Sequence, residues 1–116
     1  MTLQHIVLFA FANDLDDEEA ADMRAQIESW PELIGGIDVI RFGADPTGAR
    51  TRGHQYLLYT EFADEEGLHT YQQHPVHQKF LSWVLDHNCT PLAFDYQLTP
   101  HTVIWPRTAP DIPEEN

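Results

Sequence analysis

Tyr71, His74 and His77 fall at steps of three along the stretch Tyr71-Gln72-Gln73-His74-Pro75-Val76-His77. A step of three is roughly one helical turn, so a phenol and two imidazoles can share a face. The chemistry such a face offers is proton transfer. An imidazole takes or gives a proton near neutral pH, and a tyrosine hydroxyl can hold an enolate oxygen. The same residues also have a local reading, with His74 bonding backbone at a chain break and His77 a satisfied core or interface histidine. A short His/Pro cluster is a low-specificity signal.

These residues must be carried by a helix running from Asp64 to about His87. Asp64, Glu65 and Glu66 put negative charge at its N-terminus, where the helix dipole favours it. Pro75 lacks an N–H and disfavours helical geometry at His74. The helix therefore breaks or kinks there, unless Pro75 opens a new helix in its first turn. Leu68 and Tyr71 make the apolar face before the break, and Phe80, Leu81, Val84 and Leu85 continue it afterwards at steps of three and four. Trp83 lies beside this stripe, where it is expected to touch a partner.

Strand signals flank the helix. Leu3 to Ala12 is apolar on both faces, with His5, Val7, Phe9 and Phe11 on one and Ile6, Leu8 and Ala10 on the other. A strand apolar on both faces is buried on both. Asp14 or Asp16 caps a following helix whose apolar face is Ala20, Met23, Ile27 and Trp30, with Pro31 ending it or opening a last loose turn. Gly35-Gly36 connects to a second strand over Ile37 to Phe42. A polar loop from Gly43 to Gly53 carries Arg50 and Arg52, read as solvated arginines rather than an anion site. His54 to Phe62 reads as a third strand, again apolar on both faces, with Tyr56, Leu58 and Phe62 opposite Leu57 and Tyr59. Thr90 to Leu98 reads as a fourth strand carrying Leu92, Phe94 and Tyr96.

The chain of 116 residues has a net charge of −13, which disfavours nucleic acid and anionic membrane as partners. Lys79 is the only lysine, and Cys89 stands alone, so no internal disulfide forms. Cys89 reads as a small buried hydrophobe. The N-terminal residues lack the basic region of a signal peptide, and no apolar run is long enough to span a membrane, so a soluble, cytoplasmic protein is expected. Residues 1–99 read as one domain and residues 100–116 as a Pro-rich acidic tail. Within that tail, Thr102-Val103-Ile104-Trp105 is apolar and is expected to dock on its own body or on a second copy.

The element order strand–helix–strand–strand–helix–strand is the split βαβ, or ferredoxin-like, arrangement of the α+β class. Its crossovers put both helices on one side of a four-stranded antiparallel sheet. The uncovered face is still apolar, and a patch of that size on a monomer calls for a partner. A second copy packing face to face, as a dimeric α/β barrel with two-fold symmetry, is the economical solution.

Several of these residues resemble the stress-responsive dimeric α/β-barrel (Dabb) domain family. They are His5-Ile6-Val7-Leu8-Phe9, Gly53, Phe62, Leu68, Tyr71, His74-Pro75-Val76-His77, Phe80 and Phe94-Asp95-Tyr96, and the resemblance covers about residues 3–98. It implies the same fold and a homodimer. The best understood relative, a plant olivetolic acid cyclase, closes a ring by aldol condensation without metal or organic cofactor. By that resemblance His77 would be the general base, with His5 and Tyr71 positioning the substrate and holding the enolate oxygen. Val7, Phe9, Ile27 and Phe80 would wall the pocket and His74 would be a further ligand contact. The plant enzyme has a pocket tyrosine where this chain has Ile27, so the wall here is more apolar.

Three functions compete. One is a cofactor-free cyclase, isomerase or lyase acting on a small carbonyl or phenolic compound. A second is a stress-associated or ligand-binding protein without chemistry, in which His74 and His77 are structural. The third is a metal site built from His69, His74 and His77 with Glu65 or Glu66, for which there is no established ligand signature.

Overall fold

The structure is a computed structural model and describes residues 2–106. The acidic end of the tail lies outside the described residues. The element order is β1 (Thr2–Phe11), α1 (Asp17–Glu28), α2 (Trp30–Leu33), β2 (Val39–Ala44), β3 (Tyr56–Phe62), α3 (Glu65–Gln73), α4 (Pro75–Asp86) and β4 (Cys89–Leu98). All pairings are antiparallel, in the order β2-β3-β1-β4, which is the ferredoxin-like sheet.

Local chemistry sets the element ends. Asp16 caps α1 in a reciprocal box with Glu19, and Asp64 caps α3 by accepting from the Gly67 N–H. Pro31 sits in the first turn of α2, so the chain restarts rather than continues α1. Pro75 does the same for α4, with His74 extended ahead of it. Thus the Asp64–His87 segment is two helices, the second opened by proline. Gly35 and Gly36 both take positive φ, at 73° and 69°, and turn the chain toward the sheet. This turn delays β2. Its ladder begins with Val39 opposite Glu61 and runs on through Ala44, two residues later at each end than the apolar run suggests. His54 is held in a turn by Thr51, so β3 starts only at Tyr56.

The core lies between the helices and one sheet face. Trp30, Tyr71, Phe62, Met23 and Leu58 are its largest buried side chains. Burying each such side chain contributes about 1.5–3 kcal/mol. Leu85 is not part of this core. It is exposed, because the stripe of α4 centres on Phe80 and Val84. Trp83 is partly buried and packs within its own chain against Phe11, Phe80 and His87.

The opposite sheet face carries cross-strand rows of apolar side chains. Tyr59, Ile6 and Phe94 stand side by side, and so do Leu57, Leu8 and Leu92. Phe94 is 66% exposed and Leu92 55%. The strands are therefore apolar on both faces, and in one chain only one of these faces is covered. Beyond β4, Thr102 closes a short turn on Thr99. Ile104 and Trp105 then stand exposed, so this apolar stretch does not dock on its own body.

Candidate functional site

His5 lies on the helix-facing side of β1, directly between Thr60 of β3 and Asp95 of β4. It is buried, and its Nδ1 bonds Asp95 Oδ1 across the ladder. With the carboxylate accepting, Nδ1 carries the proton and Nε2 keeps the lone pair. The His5 ring meets Tyr71 edge-on, with centroids 6.3 Å apart.

Tyr71 reaches this point from the last turns of α3, and His77 from the first turn of α4. The break at His74-Pro75 folds them together, with ring centroids 4.3 Å apart. Trp30, at the start of α2, closes the group at 5.5 Å from Tyr71 and 5.8 Å from His77. The structure thus brings His5, Tyr71 and His77 into one buried cluster.

The electrostatics follow from burial. Burial pushes the Tyr71 hydroxyl well above its ordinary range, so it stays protonated and can donate. Burial, reinforced by the neighbouring His5, lowers His77 to about 4, while a hydrogen bond to the Gln72 backbone acts the other way. His77 is therefore neutral at pH 7.

Three buried polar atoms of this cluster lack a protein partner: Tyr71 Oη, His77 Nδ1 and Trp30 Nε1. Leaving such a group unpaired costs about 1–3 kcal/mol. Three such groups on neighbouring rings are an unusual concentration for a packed core.

The other expected contacts fall differently. His74 is occupied as the cap of α4, its Nδ1 accepting from the Val76 N–H at 3.1 Å, and it stands outside the cluster. That local role is the one the structure shows for His74. Phe9 and Phe80 meet edge-on at 6.1 Å beside Trp30, and Val7 packs partly buried against the same core. Ile27 is buried and faces a shallow concavity beside Ile40 and Phe42. Burial raises the Cys89 thiol to about 11, which leaves it protonated and a poor nucleophile. Among the described residues no three His, Cys, Asp or Glu side chains cluster as metal ligands, and His69, His74 and His77 do not converge.

Two larger surface concavities lie on opposite sides of the sheet. One, of about 550 Å³, lies at the end of the open sheet face under the Arg50–Arg52 loop. The other, of about 360 Å³, lies between α1 and α4 and is backed by Trp30. Sequence reasoning missed two members of the cluster. Asp95 shows only as a lone acid in an apolar strand, and its pairing with His5 depends on register. Trp30 reads as plain core.

The fold and the cluster define a ferredoxin-like α+β domain with a packed His/Tyr cluster under its helices and an uncovered apolar sheet face. Residues 3–98 match the family model described as the stress responsive A/B barrel domain, and the chain belongs to that family. Among solved structures, it is similar to a dimeric ferredoxin-like protein of unknown function from Bacteroides fragilis. The two are 25% identical, covering 83% of this chain and 95% of that one, with a TM-score of 0.71. A dimeric ferredoxin-like protein of unknown function from Thermobifida fusca gives 22% identity, coverage of 84% and 92%, and a TM-score of 0.72. The hydroxynitrile lyase from Passiflora edulis shares the fold, at 14% identity, coverage of 84% and 95%, and a TM-score of 0.70. No curated protein sequence matches. Among the described residues no helix is long and apolar enough to cross a membrane.

Proposed function

We propose that this chain is a homodimeric, cofactor-independent enzyme that moves a proton on a carbon next to a carbonyl group. The observation that carries the reading is a buried ring cluster of Trp30, Tyr71 and His77 that leaves three polar atoms unpartnered, with Tyr71 edge-on to an Asp-paired histidine. Tyr71 donates its hydroxyl hydrogen to the substrate carbonyl oxygen. His5 Nε2 takes the proton from the adjacent carbon, and Asp95 stabilises the imidazolium that forms. The C–H electron pair becomes the C=C of an enolate, whose oxygen Tyr71 holds. His77, neutral, accepts a hydrogen bond at Nδ1 from a substrate hydroxyl. The enolate then attacks a second carbonyl, is reprotonated elsewhere, or expels a leaving group. These outcomes are the cyclase, isomerase and lyase reactions.

The resemblance to a plant olivetolic acid cyclase assigns the base to His77. The Asp95 partner favours His5 instead, since a base near 4 is poorly matched to neutral pH. The dimer is supported by the exposed rows of Leu57, Leu92 and Phe94 and by dimeric proteins of the same fold.

A second reading, binding without chemistry, is favoured by the close packing of the cluster. None of the three concavities described is lined by His5, Tyr71 or His77. One experiment separates the two. Small ketones and β-keto acids are incubated in D2O, and exchange at the α-carbon is followed by NMR with wild type and His5→Gln. Exchange that depends on His5 supports catalysis. Binding with no exchange by the wild type above buffer supports the second reading.

A further inference from the structure

Trp30 faces two ways. On its inner side it touches Tyr71, His77 and Phe80, with centroids 5.0 to 5.8 Å away. On its outer side it backs the groove between α1 and α4, although the residue itself has no exposed surface. Its indole N–H has no acceptor. A buried N–H that serves only packing would normally find a carbonyl. The Trp30 side chain stands at the partition between an outer groove and the polar cluster.

The outer groove has its own chemistry. Trp83, Val76 and Leu33 give it an apolar wall, and its volume of about 360 Å³ suits a small molecule. Lys79 stands at its mouth, one turn from both Val76 and Trp83 on α4. It is the only lysine of a chain with net charge −13, and among the described residues it forms no ion pair. An unpaired cation at the rim of an aromatic groove fits one carboxylate. Asp22 on the same rim disfavours a second anion.

We propose that this groove is the outer half of the binding site and takes an apolar, aromatic carbonyl compound bearing a single carboxylate. The carboxylate pairs with Lys79, the apolar body lies against Trp83 and Val76, and the Trp30 indole turns to admit the carbonyl end. The Trp30 N–H then donates to the ligand's polar end. This rests on the reading of His5, Tyr71 and His77 as a ligand site, and it names the ligand class and its entrance.

The test uses the full chain and two matched probes, 3-benzoylpropanoate and the neutral ketone butyrophenone. Binding is measured by calorimetry, and the indole N–H signals of the tryptophans are followed by NMR. The Trp30 signal is expected to move downfield with both probes. Lys79→Ala should weaken the carboxylate about tenfold, equivalent to ~1.4 kcal/mol, and leave the neutral ketone unchanged. Trp30→Phe, which keeps the ring and removes the N–H, should weaken both.

Equal effects of Lys79→Ala on both probes overturn the proposal, as does an unmoved Trp30 signal or no binding of either probe at millimolar concentration. Lys79 is exposed, so its variant folds whatever Trp30→Phe does. Binding as described, without α-carbon exchange, supports this groove and removes the catalytic reading. His5-dependent exchange that neither variant alters removes the groove and leaves catalysis standing.

Discussion

His5 and Asp95 are direct cross-strand partners on β1 and β4, and their side chains bond on the sheet face beneath the helices. A buried imidazole and a carboxylate at the sheet edge are thereby joined by register alone. The carboxylate fixes which ring nitrogen carries the proton, so the other keeps its lone pair. Asp95→Asn keeps the shape and removes the charge. The variant is expected to fold normally and to lose about 10²-fold or more in α-proton exchange, in the range that general base catalysis supplies. Circular dichroism with the exchange assay checks this. Equal loss of folded signal and activity would make the pair structural.

The pH dependence of stability reports on His77. Its folded value is lowered from 6.5 to about 4, so between these the unfolded chain binds the proton that the folded chain refuses. Stability is therefore full above about pH 6.5, falls as pH drops toward 4, and loses nothing more from this group below that. Allowing for its partial exposure, the loss is about 2 kcal/mol. His77→Asn should flatten this part of the curve in urea melts between pH 7 and 4. The same value bears on catalysis. If His77 were the base, activity would persist down to about pH 4, and a limb well above that assigns the proton to another group.

The open sheet face predicts assembly. Phe94 is 66% exposed in one chain, and a lone exposed side chain tolerates an acid. Buried against a second copy, an unpaired carboxylate would be costly. Phe94→Asp is expected to convert a dimer into a monomer at micromolar concentration, measured by light scattering after size exclusion. A wild type that already elutes as a monomer removes the barrel.

His74 gives a test of local structure. Its Nδ1 caps α4, so His74→Ala should cost about 1 kcal/mol, and His74→Asn, which also caps, should restore most of it. Chemical denaturation checks both. A much larger loss of activity than of stability in His74→Ala would return the residue to the site.

Much of the fold was legible because its causes are local. The alternation of His5, Val7, Phe9 and Phe11 against Ile6, Leu8 and Ala10 fixes the two faces of β1. Asp16 with Glu19, Asp64 and Pro75 fix helix starts by backbone chemistry. What was not legible depends on contacts distant in sequence. Asp95 lies 90 residues from His5 and becomes its partner only through the β1–β4 register. The unpartnered N–H of Trp30 is invisible in a helical pattern, where an indole is simply a large apolar side chain. Leu85 satisfies the spacing of the α4 stripe yet sits past its edge, because the direction of the helix axis decides which residues meet the sheet. Tyr71 and His77 are the intermediate case. Their spacing hints at a shared face, and the break at Pro75 is what brings the rings together.

Tyr71 also carries a prediction in which stability and function move in opposite directions. Its hydroxyl is buried, has no protein partner, and lies in a cluster that also leaves His77 Nδ1 and Trp30 Nε1 unpaired. Tyr71→Phe removes that unpaired group and keeps the ring contacts with Phe62, Trp30 and His77. In the absence of ligand the variant should be about 1–2 kcal/mol more stable, since the cost of an orphaned hydroxyl is gone. It should also lose most α-proton exchange, because no donor is left for the enolate oxygen. A site that stores such a cost in the free protein recovers it when a ligand carbonyl arrives, as expected where binding is selected over stability. Thermal melts with and without 3-benzoylpropanoate decide the matter. The wild type should gain more stability from the ligand than Tyr71→Phe does. A variant less stable than wild type would mean that the hydroxyl is already satisfied, by ordered water, and that the cluster is a packed core rather than a waiting site.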